Sequence, residues 1–448
     1  MAAARQGACT PRNLLVQLPF PSTLGLHAAL RDYYADYSAV FSEDFPDYFV
    51  PEDQLWELPL WIAHVAGMLE SLGVEPELLD LSRAEADAGA CLEAVGRATR
   101  AGDLVYLSPL AQNLDLALAV SRGLTARGRR TVLGGNMAPL ADTADASVIH
   151  RGQLSPETLL HVMRREAPGL IEVPPRTRGR ISWTPSYRLF DGYEGSVPLL
   201  RINASHGCLF RCSFCGDAWS KQLHVVEPDA LESEVAELER RFPETRLVYV
   251  GDKSFGQSSE AVDNLQHVFE RRPDYRFIVQ THAALVDSKL IAAMCRLGVA
   301  VVELGLESGD FELLRDSNKA TRGSEHYVGV IESLNAAGIR VVLNVLGGLP
   351  RETEASHSRT VEFLDRTAHD VWLYNLYNFV PYPLTPYYAE LKERIHDWRF
   401  ANWREDAPPV FRPYHLSPEA SWAAFLEKVR VAHGHVRARR LAPAAGPR

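Results

Sequence analysis

Over the first third of the chain, short apolar runs alternate with amphipathic stretches. Residues 13–18, 104–108 and 131–135 read as buried strands, whereas 58–72 and 114–126 carry apolar positions at helical spacing. This alternation predicts a parallel sheet flanked by helices, a fold in which ligands sit at the carboxyl ends of the strands. From about residue 170 to 198 neither period is sustained and Pro, Arg and Gly dominate, which predicts a linker or strap. Its aromatics, such as Tyr187, Phe190 and Tyr193, are placed to pack back onto a domain. A second alternating set follows, with strands predicted at 199–203, 246–250, 275–279, 299–303, 340–344 and 371–375. Six strand and helix units make an incomplete parallel barrel, whose chemistry gathers where the strands end. Beyond residue 388 lies a polar and aromatic extension with a helical stretch at 422–431, and 437–448 is expected to be disordered. The expected class is α/β: a Rossmann-like domain over 1–169, a strap over 170–197, a partial (β/α)6 barrel over 198–388 and an extension over 389–448.

The chemistry concentrates behind the first barrel strand, where Cys208, Cys212 and Cys215 form a CxxxCxxC loop. With six cysteines in 448 residues, chance recurrence of both spacings is on the order of one in a thousand. Thiolates this close can hold three corners of a 4Fe-4S cluster and leave the fourth iron open to a small molecule. Zinc is the alternative, but a closed structural site needs a fourth ligand, and Cys9, Cys91 and Cys295 stand alone in the sequence.

The loop, with Phe214 before its last cysteine, resembles the cluster loop of the radical S-adenosylmethionine (radical SAM) enzymes. The resemblance implies that the open iron is chelated by S-adenosylmethionine, which an electron from the cluster cleaves to a 5'-deoxyadenosyl radical. Further segments resemble the family's cofactor contacts. Asp252, in Gly251-Asp-Lys-Ser-Phe255, matches an acid that meets the amino group of S-adenosylmethionine, with Lys253 where a second acid is usual. Glu307, in Gly305-Leu-Glu-Ser-Gly309, matches a glutamate that binds the ribose hydroxyls. Asn344 and Gly347 open a segment that resembles the family's Gly-Leu-Pro-Gly-Glu-Thr run, with Arg351 in place of a glycine. The role of Glu303 is open, and the aromatics of 377–387 are wall or core.

A Rossmann-like domain ahead of such a barrel resembles the cobalamin-dependent branch of the family. Ser108 and Leu110 match its Ser-x-Leu motif, and Gly134 and Gly135 match its Gly-Gly motif. The Asp-x-His-x-x-Gly motif that supplies a lower axial histidine is missing, and His64 lies in an apolar helical run that reads as core. The resemblance covers about residues 10 to 390. It implies a cobalamin-dependent radical SAM methyltransferase that moves a methyl group from S-adenosylmethionine, through methylcobalamin, to a carbon of a small metabolite or modified amino acid in natural-product (antibiotic) biosynthesis. Polar methyl transfer to an aromatic ring such as indole, a non-methylating radical cyclisation or rearrangement, and a non-catalytic sensor are the rival readings. Methylthio transfer needs another set of amino-terminal cysteines, which Cys9 and Cys91 do not supply. A flavodoxin or ferredoxin is the expected electron donor.

Composition narrows the partners. A formal charge of -10 argues against a broad nucleic-acid surface. No apolar run approaches the roughly twenty residues that cross a bilayer, and no secretion signal stands at the start. An oxygen-labile cluster fits a reducing compartment, so a cytoplasmic location is expected.

Overall fold

The computed structural model describes residues 11–21, 25–49, 58–165, 167–173, 178–192, 197–216 and 222–441. Six parallel strands form the front sheet: β1 (Asn13–Gln17), β2 (Pro76–Asp80), β3 (Leu104–Leu107), β4 (Arg130–Leu133), β5 (Val148–Arg151) and β6 (Gly169–Glu172). Their spatial order is β2-β1-β3-β4-β5-β6. The order reverses between β1 and β3, so a ligand crevice is expected beyond the carboxyl ends of those two strands.

The stretch read as a linker is not featureless. β6 belongs to the front sheet, and β7 (Arg178–Ile181) pairs with a strand beyond the linker. Lone short strands in a Pro- and Arg-rich text carry no period, because their pairing partners are remote. Tyr193 lies outside the described residues. β8 (Leu200–Ile202) opens the barrel, and β9 (Ser205–His206) and β10 (Leu223–Val226) join β7 in a small sheet. The remaining barrel strands are β11 (Leu247–Val250), β12 (Arg276–Thr281), β13 (Val299–Glu307), β14 (Arg340–Gly347) and β15 (Leu373–Asn378). They form one parallel sheet in the order β15-β14-β13-β12-β11-β8.

An open barrel leaves an edge at β15, and helix α1 (Ala28–Asp44) covers it. Leu30, Tyr33, Val40 and Phe41 recur at helical spacing and are buried. Tyr33 donates its hydroxyl to the Tyr374 carbonyl at 2.5 Å and accepts from the Tyr374 N–H at 3.1 Å, while Tyr34 donates to the Leu376 carbonyl at 3.2 Å. Side-chain hydroxyls thus satisfy edge groups that would otherwise invite another strand. One buried core runs without interruption from Leu15 and helix α2 (Leu60–Ser71) through α1 into the barrel. The strap is therefore not a packing boundary.

The last helix, Pro418–Leu441, lies against α1, β14 and β15. Arg437 to Leu441, expected to be disordered, are helical. Arg439 explains the difference, since its guanidinium donates to the carbonyls of Ala368 and Trp372, contacts that local sequence does not encode.

Candidate active site

The cysteine loop is pinned from three sides. Gln257 accepts from the Leu209 N–H at 3.0 Å and donates to the Gly207 carbonyl at 2.9 Å. The Ser213 N–H donates to the Ser317 carbonyl at 2.8 Å, and Asn318 donates to the Ser213 hydroxyl at 2.7 Å. Phe210 stacks on His282 with ring centroids 4.1 Å apart. Cys208 and Cys212 are buried, and Cys215 is half-buried at the mouth of a cleft. Burial pushes the Cys212 thiol up to about 11 despite the opposing Lys319 charge, and Glu307 and Cys208 push it further. Metal coordination would strip that proton. Among the described residues no three His, Cys, Asp or Glu side chains converge on one point as a single-ion site requires. A cubane asks for a different arrangement, one thiolate per iron from separate corners.

Glu307 ends β13 in the left-handed region, at φ 68°, where the register with β14 shifts. Such a conformation costs a non-glycine residue on the order of 1–3 kcal/mol and persists only where its surroundings enforce it. Lys319 supplies that enforcement, with its ammonium 3.2 Å from Glu307 Oε1. Burial works against the Lys319 charge, yet Glu307, with Tyr327 and Cys212, holds its pKa well above the ordinary lysine value. Gly305 makes room for the pair: a Cβ there would stand 2.8 Å from Glu307 Oε1 and 3.2 Å from Lys319 Nζ.

Asp252, expected to meet a cofactor amine, is held by protein groups. Its Oδ1 accepts from the N–H groups of Ala204 and Ser205 at 2.8 and 2.9 Å, and its Oδ2 from the Ser205 hydroxyl at 2.5 Å. It clamps the turn between β8 and the cysteine loop. Burial pushes its carboxyl up to about 6 even though all three hydrogen bonds act to lower it.

The β14 end is held from behind. Lys428 and Glu352 form an ion pair with both side chains almost fully buried, and Glu352 also accepts from the Gly348 N–H at 3.0 Å. Gly347 faces the last helix, where a Cβ would meet Phe425 at 2.5 Å. Asn344 accepts from Asn375 at 2.9 Å inside the barrel. Of this strand's residues it is Leu346 that lines the cleft.

On the front domain, Leu110 follows β3 and is 54% exposed toward the barrel side. Gly135 has φ 82°, and a Cβ on it would lie 2.7 Å from the Ser108 hydroxyl, whereas one on Gly134 would meet nothing within 4 Å. The two motifs therefore pack against each other. His64 sits elsewhere, half-buried beside Trp183 and His206, and desolvation there lowers it to about 4.

A cleft of about 460 Å³ joins these parts, with Leu110, Asn136 and Met137 on one wall and Phe214, Cys215, Glu307 and Leu346 on the other. Ser108, Gly134 and Gly135 do not line it themselves but adjoin the lining residues Leu110 and Asn136 in sequence, and of the three cysteines Cys215 is the one at its surface. Asp252, Asn344 and Gly347 do not line it. Lys319, Met137, Leu346 and Glu405 are cleft or supporting residues that no motif announced; only the sheet register and the fold of the 316–319 turn bring them in. The donor set fits the expected groups: three thiols in one pinned loop for the cluster, and an uncharged wall of Leu110, Ala111, Gln112, Asn136 and Met137 for a broad flat ligand.

Residues 202–364 match the Radical SAM superfamily. Bacteriochlorophyllide d C-12(1)-methyltransferase of Chlorobaculum tepidum is 23% identical over 218 residues, 46% of this chain and 45% of that protein. Anaerobic magnesium-protoporphyrin IX monomethyl ester cyclase of Cereibacter sphaeroides is 24% identical over 224 residues, 48% of this chain and 35% of that one. The chain thus spans less than half the length of these curated relatives. Among solved structures, the radical S-adenosylmethionine methyltransferase TsrM of Kitasatospora setae, with cobalamin and a [4Fe-4S] cluster bound, superposes with a TM-score of 0.60 at 18% identity, over 85% of this chain and 78% of that one. The cobalamin-dependent S-adenosylmethionine radical enzyme OxsB superposes with a TM-score of 0.56 at 14% identity, over 94% and 61%. Residues 202–364 carry the match to the Radical SAM superfamily, and the chain shares the fold of TsrM and OxsB.

Proposed function

We propose that the protein is a cobalamin-dependent radical SAM methyltransferase that moves a methyl group from S-adenosylmethionine to a carbon of a small metabolite or modified amino acid in natural-product biosynthesis. The observation that carries this reading is the one cleft that has Leu110, Asn136 and Met137, from the segments after β3 and β4, facing Cys215 and Glu307. When bound, the cluster and S-adenosylmethionine supply one-electron chemistry, and cobalamin supplies a transferable methyl group.

The chain's own residues have distinct tasks in this reading. Cys208, Cys212 and Cys215 hold the cluster, and Phe214 walls the open corner. Glu307, fixed by Lys319, accepts hydrogen bonds from the ribose hydroxyls. Leu110, Met137 and Leu346 keep water from the space between the walls, which strengthens polar contacts inside it. Holding two donors across one narrow cleft replaces chance encounter with fixed proximity. Leu110, Asn136 and Met137 would hold cobalamin on the front side of the cleft.

The named functions of the neighbours agree in kind: a methyltransferase acting on a bacteriochlorophyllide, and TsrM in complex with tryptophan. A low-potential flavodoxin or ferredoxin is the electron donor we expect, in the cytoplasm. No helix among the described residues is long and apolar enough to cross a membrane. The test is to incubate reconstituted protein with S-adenosylmethionine and a low-potential reductant, with and without cobalamin. Cobalamin-dependent S-adenosylhomocysteine together with 5'-deoxyadenosine is the expected result. S-adenosylhomocysteine alone would assign the polar route, and 5'-deoxyadenosine alone would contradict methyl transfer.

A further inference from the structure

A second cavity, of about 630 Å³, opens beside the cofactor cleft and shares Leu110, Gln112 and Glu405 with it. Its walls are apolar and aromatic, with Phe20 and Leu26 on one side and Tyr34, Leu376 and Tyr377 on the other. Nine large hydrophobic side chains among the described residues are exposed, and three of them, Phe20, Leu26 and Leu110, stand at this one cavity. Apolar surface gathered in a concave site points to a ligand rather than to chance exposure.

The charges at the cavity are unequal. Arg404 is forked onto Asp406, with Nε 2.8 Å from Oδ1 and Nη2 2.6 Å from Oδ2, so these two groups neutralise each other. Glu405 has no such partner: among the described residues no cation lies within ion-pair distance of it, and its side-chain contact is the Tyr382 hydroxyl at 3.3 Å. Glu405 is exposed at the neck between the two cavities, and the protein crowded around it raises its carboxyl above the ordinary value, with Asp406 adding to the effect. An exposed carboxylate at the mouth of an apolar cavity, with no cation beside it among the described residues, is placed to accept a charge-assisted hydrogen bond from an ammonium brought in with the ligand. Tyrosines beside it add cation–π attraction for the same charge.

We propose that this second cavity is the substrate pocket, and that Glu405 selects a small molecule that combines a flat apolar body with a protonated amine placed at the neck. The proposal rests on the methyltransferase reading for its claim that a substrate must reach the cleft. The pocket then holds the body of the molecule against Phe20, Tyr34 and Tyr377 and presents its amine-bearing end to the cofactors.

The test uses the full chain, reconstituted with cluster and cobalamin, and three probes: tryptamine, neutral 3-methylindole and anionic indole-3-propionate. Calorimetry is expected to rank tryptamine at least about tenfold above both others. In Glu405→Gln that preference is expected to vanish while 3-methylindole binding is unchanged, and Tyr377→Leu is expected to weaken tryptamine and 3-methylindole together. Equal binding of the amine and the neutral probe, no binding of the amine, or a preference that survives in Glu405→Gln each overturns the proposal. Loss of iron or cobalt in Glu405→Gln also overturns it, by assigning the residue to the cofactors. Failure of wild-type protein to hold cobalt at all is a separate result, and contradicts the methyltransferase reading instead.

Discussion

The two walls of the cleft are built on opposite principles. The barrel wall is polar and heavily braced: Glu307 is locked to Lys319, Asp252 to the β8 turn, Ser213 to the 317–318 turn, and the β14 end to Lys428 through Glu352. The front wall is made of Leu110, Ala111, Gln112, Asn136 and Met137, none of them charged, with Gly135 packed close to Ser108 in the adjoining turns. Coordination and charge recognition need atoms held to within fractions of an ångström, so bracing belongs where a cluster and a zwitterion are to sit. A large flat ligand needs a surface free of fixed charge, which Leu110, Ala111 and Met137 provide.

The contrast can be broken most completely at the cysteines. Cys212→Ala is expected to abolish both iron content and turnover, while cobalt binding at the front wall persists. Metal analysis checks it, and retained turnover would remove the basis of the mechanism. Lys428→Met is next: it strands the Glu352 carboxylate in the core and should cost about 3–5 kcal/mol in denaturant unfolding. Glu352→Gln added to it should restore much of that loss.

Asp252 gives a pH test on the same wall. Its folded pKa, about 6, lies above the ordinary value of 3.8, so the anionic form is the one that folding penalises. Relative to Asp252→Asn, the wild-type protein should therefore be at its most stable below about pH 4 and lose up to roughly 3 kcal/mol as pH rises toward 6, with no further change above. Urea unfolding of both proteins across that range checks the slope. The smallest effect is expected at the front wall, where Gly135→Ala forces a left-handed alanine against Ser108 at about 1–2 kcal/mol. Cobalt retention should fall while iron content holds. Equal loss of both would mean that the walls are not separable.

Much of the architecture was legible because strands buried on both faces announce themselves as apolar runs. All six barrel strands and the β1, β3 and β4 strands stand where the runs predict, though β13, β14 and β15 extend three or four residues further, into polar or glycine-bearing ends. What stayed hidden depends on remote partners. α1 was not read, since its tyrosines serve β15, some 340 residues away. The cysteine loop was legible from spacing alone. Lys319 was not, because nothing in its neighbourhood says that its ammonium will meet Glu307. Asp252 and Gly347 show the converse: both sit in recognisable segments, yet in the folded chain one braces a turn and the other clears space for Phe425.

The measurement that tests the central claim most directly is iron, sulfide and cobalt analysis of anaerobically reconstituted protein, made in parallel on Cys212→Ala. The account predicts about four irons and about one cobalt per chain in the wild type, with cobalt alone kept by the variant. Iron without cobalt in the wild type would contradict it, leaving a radical SAM domain whose uncharged front wall serves some other ligand.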